Sequence, residues 1–122
     1  MKRGSVRARL TAVHDWPARA LRVKYFVSSL ARDCGVSVRS LEYFFRKQFK
    51  IPPKRILKMW RQAEAERRLD AKERPDRIWS SLGYTNFAHF CNSFRKATSL
   101  TPSRWRFRHL FRRRHQGGSP SE

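Results

Sequence analysis

Arg39, Glu42, Tyr43 and Arg46 recur at i, i+3, i+4 and i+7, so a helix through them shows a guanidinium fork, a carboxylate, a phenol and a second guanidinium on one side. Such groups donate and accept hydrogen bonds directionally, which is the chemistry of recognition rather than of bond breaking. Leu41, Phe44, Phe45 and Gln48 hold the opposite side at the same spacing, an apolar stripe fit for burial. A charged stripe is by default a solvated helix surface. The turn in front of this one raises its interest: Ala31, Gly35 four residues later, then Ser37 as an N-cap. Two helices crossing steeply need a small residue at their contact and a glycine free to take positive φ in the turn.

The elements that must position this face occur twice. FRKQFKIPPKRI from Phe45 aligns with FRKATSLTPSRW from Phe94 at an offset of 49. Upstream, Leu30/Ile78, Gly35/Gly83 and Val36/Tyr84 align at 48, so the second copy holds one extra residue after its glycine. Two copies of a helix-turn-helix unit follow. Between them, Pro53 suits the first position of a connecting helix whose expected apolar stripe is Ile56, Met59, Trp60 and Ala63, with Glu64 pairing to Arg67 or Arg68. From Lys54 to Leu69 that helix would run about 24 Å. The expected organisation is a basic, partly disordered segment over 1–15, a first unit over 16–50, a linker helix over 51–72, a second unit over 73–106 and a basic tail over 107–122.

Composition sets the partner class. The 122 residues carry 29 Lys+Arg, of which 21 are Arg, against nine Asp+Glu, a formal net charge of +20. So large a cationic excess, weighted to Arg, points to a polyanion and first to nucleic acid. Sixteen aromatics (nine Phe, four Trp, three Tyr) supply enough apolar area for a compact fold. The longest stretch free of Lys, Arg, Asp and Glu, Ile78 to Phe94, is interrupted by Ser, Asn and Gly, so no membrane span and no membrane partner is expected. Cys34 and Cys91 read as reduced, buried thiols, and the location expected is cytoplasmic, at the nucleoid. The four His lie at no metal-ligand spacing, no nucleophile, base and orienting group assemble, and neither cofactor, metal nor catalysis is expected.

The whole, an all-α fold of tandem helix-turn-helix units joined by a linker helix, resembles the DNA-binding domain of the AraC/XylS family of bacterial transcription regulators. LARDCGVSVRSLEYFFRKQFKIPPKRI, RQAEAERRL and IWSSLGYTNFAHFCNSFRKATSLTPSRWR carry the resemblance, over about residues 16 to 106, and the closing TP-x-x-W-R is the most specific piece. The size is similar to that of the stand-alone MarA/SoxS-type members. The resemblance implies a recognition helix from each unit in successive major grooves of double-stranded DNA, a monomer on an asymmetric site, and RNA polymerase as a second partner, commonly in activation.

It also implies roles. The family's base-contacting positions fall on Arg39, Glu42 and Tyr43: Arg39 forking onto guanine, Glu42 accepting from cytosine N4, Tyr43 meeting a thymine methyl or a phosphate. In the second unit they fall on Phe87, Ala88 and Asn92, with Phe87 expected to be buried in the core stripe. Phosphate contacts are expected from Ser37, Arg46, Lys47, Thr85, Asn86, Arg95 and Lys96. The sequence departs from the family at Trp79, in place of a small Ala, and at Asn92, in place of an Arg. It departs again at Lys50 and Ser99, in place of glycines, and at Pro17, which with Asp15 looks like a fresh helix start. Two other classes remain open: an architectural or low-specificity nucleic-acid binder, and the DNA-binding part of an enzyme such as a transposase.

Overall fold

The structure, a computed structural model, describes residues 5–108 and residue 110. Among them there are eight helices and no strand: α1 (Val6–Thr11), α2 (Trp16–Arg22), α3 (Val27–Cys34), α4 (Val38–Phe49), α5 (Pro53–Asp70), α6 (Pro75–Ile78), α7 (Phe87–Thr98) and α8 (Pro102–Arg106). The chain divides into two compact units, residues 1–63 and 64–122, and the boundary falls inside α5.

In the first unit, Asp15 Oδ1 accepts from the Ala18 amide at 3.0 Å and Pro17 occupies the opening turn, so α2 starts where Asp15 and Pro17 were read as a start. Residues 6–11, expected within a partly disordered segment, are instead α1, capped by Ser5 on the Ala8 amide at 3.0 Å. Leu10 explains why: its side chain is 0% exposed, and burying a leucine contributes on the order of 2 kcal/mol toward ordering so short a helix. Phe45 is the centre of the core, with the Trp16 ring edge-on at 4.9 Å, Phe49 at 4.9 Å and Trp60 at 6.3 Å.

The buried stripe of α5 in this unit is Pro53, Ile56 and Leu57, with Trp60 half-buried. Met59, expected inside, is 58% exposed, and Ala63 is exposed as well. Positions 53, 56, 57 and 60 fall at i, i+3, i+4 and i+7 from the proline, three residues ahead of the expected set.

In the second unit, Ala65, Leu69, Ile78, Leu82, Tyr84, Phe90 and Phe94 are buried, and Trp105 packs edge-on against Phe94 at 5.5 Å. The Trp105 indole donates to Asp70 at 3.2 Å, Arg108 donates to the same carboxylate at 2.8 Å, and the Arg108 guanidinium stacks 3.8 Å from the Trp105 ring centroid. This is what the W of TP-x-x-W-R does: it fastens α8 to the end of α5. Glu64 takes both forks of Arg67, at 2.9 and 2.8 Å, while Arg68 turns to Glu73 and to Ser81.

The two units repeat one backbone pattern. Gly35 at φ +72° closes α3 with Val36 N–H on Ala31 C=O and Gly35 N–H on Arg32 C=O, both at 3.0 Å. Gly83 at φ +87° repeats it: Tyr84 N–H on Trp79 C=O at 3.2 Å, Gly83 N–H on Ser80 C=O at 3.1 Å. The same pair of bonds recurs after the ends of α2 and α5 at an offset of 48: Tyr25 and Glu73 N–H make the six-to-one bond to Ala20 and Arg68 C=O, and the left-handed Lys24 and Lys72 N–H make the five-to-two bond to Leu21 and Leu69 C=O. Lys50 and Ser99, in place of glycines, both stand in the left-handed region at the ends of α4 and α7. The back half of α5 is therefore the second copy's counterpart of α2, and α5 is both the last helix of one copy and the first of the next.

Trp79 does not prevent the turn. It sits half-buried at the C-cap of α6, and the helix stops there after four residues, leaving residues 79–83 in consecutive turns. The turn geometry is kept with a Trp in place of the small Ala, because the six-to-one bond uses only its backbone carbonyl.

Candidate nucleic-acid interface

Ser37 fixes the start of α4: its Oγ accepts from the Ser40 amide at 3.0 Å and its hydroxyl donates to Ser40 Oγ at 3.0 Å. After twelve helical residues Lys50 ends it. Leu41, Phe44 and Phe45 are buried, which settles the rotation of the helix and leaves Arg39, Glu42, Tyr43, Arg46 and Lys47 exposed. Tyr43 is 66% exposed, with Lys47 Nζ 5.6 Å from its ring centroid.

The electrostatics single out one member of this face. Asp15 is spent on a cap, Asp33 on Arg19 and Arg22, Glu64 on Arg67, Asp70 on Arg108, Glu73 on Arg68 and Asp76 on Arg74. Glu66 is engaged too. Among the described residues, Glu42 is the one carboxylate with neither a cap nor a partner, and it stands in the middle of a cationic face. Arg39 and Arg46 have no ion-pair partner among them either.

The turn ahead of α4 is braced from α1. Arg9 Nη1 donates to the Gly35 carbonyl, and a Cβ added at Gly35 would lie 2.8 Å from that nitrogen. The sequence signal for this brace was slight, a lone apolar Leu10 among cations.

α7 has the same twelve-residue length and the same kind of start: Asn86 Oδ1 accepts from the His89 amide at 2.8 Å, and Thr85 Oγ1 lies 3.1 Å from His89 Nδ1. Phe90 and Phe94 are buried, while Ala88, Asn92, Arg95 and Lys96 are exposed. Phe87 corrects the sequence reading. It is 39% exposed, matching Val38 at 37% one repeat earlier, because the first residue of each recognition helix precedes the buried stripe and has no turn above it. An apolar ring thus joins Ala88 and Asn92 on the open side of α7, where a polar pattern alone would not flag it.

Both cysteines are free, Cys34 buried and Cys91 half-buried, and desolvation raises both thiols above their ordinary range. Such thiols are poor nucleophiles. No group of three or more His, Cys, Asp and Glu among the described residues is placed to hold a metal ion. No described helix is long and apolar enough to cross a membrane.

Two helix-turn-helix units, each with a capped helix exposing cationic and polar side chains, define a DNA-binding protein. A family model described as Helix-turn-helix domain, of the AraC/XylS type, matches residues 30–108, more than half of the chain. The chain belongs to that family, whose members bind double-stranded DNA, regulate transcription and are in general not enzymes. No curated protein and no solved structure matches it.

Proposed function

We propose that the protein is a sequence-specific regulator that reads base edges with α4 and uses α7 mainly to hold register. The observation that carries this is Glu42: a protein needing only affinity for phosphate gains nothing from an unpaired carboxylate on its cationic face, whereas cytosine N4 is a donor that a carboxylate accepts from. Arg39 forks onto guanine beside it and Tyr43 reaches a thymine methyl. Ala88, Asn92 and the exposed Phe87 present fewer directional groups, so the second block of the site is weaker, about one helical turn away. Arg46, Lys47, Arg95 and Lys96 bind phosphates, joined by Ser37, Thr85 and Asn86 through whatever their caps leave free. The protein acts as a monomer at the nucleoid, with RNA polymerase as its second partner.

The test is selection of bound duplexes from a random pool, repeated with Arg39→Ala and Glu42→Ala. Arg39→Ala should cost about 1–3 kcal/mol at one base position and relax preference there. Glu42→Ala should raise affinity for random duplex while lowering discrimination at a neighbouring position. Equal losses on selected and random DNA for both variants would reduce the protein to a low-specificity binder.

A further inference from the structure

A cleft of about 440 Å³ opens between α1 and α4, wholly inside the first unit. Leu10 and Phe44, both buried, line it together with Val6, which is partly exposed. Arg7 from α1 and Arg39 and Lys47 from α4 also line it, and no carboxylate does. Its volume lies within the roughly 300–1,000 Å³ of small-molecule sites.

We propose that this cleft binds a small amphipathic carboxylate, and that the bound acid competes with DNA. An inorganic anion would satisfy the cations but leave the apolar lining wet. A neutral hydrocarbon would fill the lining but leave two guanidiniums and an ammonium without a counter-charge. A carboxylate on an aromatic body answers both: its ring lies against Phe44 and the Tyr43 ring at the rim, and its oxygens take a forked bond from Arg7 or Arg39. Arg39, Tyr43 and Lys47 belong at once to the cleft and to the face proposed for DNA, so one occupant withdraws them from the other. The competition rests on α4 facing DNA, whereas the binding does not.

The experiment uses the full chain and 2-naphthoate as the probe. Amide shifts in a ¹H–¹⁵N titration should saturate and concentrate on residues 6–10 and 38–48. Arg7→Gln, and separately 2-naphthamide in place of the acid, should each weaken binding about tenfold. Val6→Trp, which fills the cleft, should abolish it with the far-ultraviolet circular dichroism unchanged; should Val6→Trp perturb the fold, the exposed Arg7→Gln still decides. Saturating 2-naphthoate should raise the apparent Kd for duplex DNA, selected or random alike. The proposal is overturned by the absence of saturable binding, by shifts centred elsewhere, by equal binding of 2-naphthamide or of inorganic phosphate, or by DNA affinity that saturating acid leaves unchanged. If competition persists but the protein shows no base preference, the reading of bases by α4 fails and the cleft stands.

Discussion

Replacing Gly35 by Ala tests whether the brace from α1 sets the turn before the recognition helix. At φ +72° an L side chain costs about 1–2 kcal/mol, offset by about 0.4–1 kcal/mol from the stiffer unfolded chain, a net loss near 1 kcal/mol. The new methyl would also meet Arg9 Nη1 at 2.8 Å. Because that atom ends a flexible side chain it retreats, and the bond to the Gly35 carbonyl goes with it, adding about 1 kcal/mol. Gly35→Ala should therefore cost about 2 kcal/mol and Arg9→Ala about 1 kcal/mol. The double variant should cost about 2 rather than 3 kcal/mol, because the second change removes a bond already lost. Urea unfolding followed through tryptophan fluorescence, with Trp16 reporting on the first unit, gives all four corners of the cycle. Additive losses, or a Gly35→Ala cost under about 0.5 kcal/mol, would show that the turn is set without α1.

Three further outcomes follow. Binding to DNA should weaken with salt at a log-log slope of about −3.5 or steeper, about 0.9 for each of the four cations Arg46, Lys47, Arg95 and Lys96, read by fluorescence anisotropy, and a slope shallower than about −2 would contradict the phosphate contacts proposed for them. Ser99→Gly, relieving φ +71°, should stabilise the second unit by about 0.5–1 kcal/mol in urea; Lys50→Gly should gain less, because it also removes a cation from the negative end of α4. Hydrogen bonds from Arg108 and Arg67 hold the Asp70 and Glu64 carboxyls below their ordinary 3.8 and 4.5. Their contribution is thus complete above those values and lost as pH falls through the lower folded ones. Acid unfolding should show it, and Arg108→Gln should remove Asp70's share; an unchanged acid midpoint would count against the clasp.

What the sequence disclosed was registration. The shift from 48 to 49 falls between Tyr84 and Asn86, and the matched turns at Gly35 and Gly83, the caps Ser37 and Asn86, and the left-handed Lys50 and Ser99 follow it. The faces of α4 were legible because Leu41, Phe44 and Phe45 leave one choice of rotation. The phase of α5 was harder: Ile56, Leu57, Met59 and Trp60 admit two stripes, and the fold buries Ile56 and Leu57 while leaving Met59 exposed. α1 stayed hidden because six residues with one buried leucine carry no period. Phe87 was misread because an aromatic at the first helical position continues the apolar spacing without the packing.

Glu42 has a consequence for time as well as for affinity. A protein finding one site among many must abandon wrong sequences quickly, and a wholly cationic face clings to all of them. On the proposed reading, a carboxylate held among Arg39, Arg46 and Lys47, with no partner of its own to quiet it, would repel phosphate wherever no cytosine amino group answers it. It would then shorten residence on the wrong duplex more than on the right one, so Glu42→Ala should slow the search even where it tightens the hold.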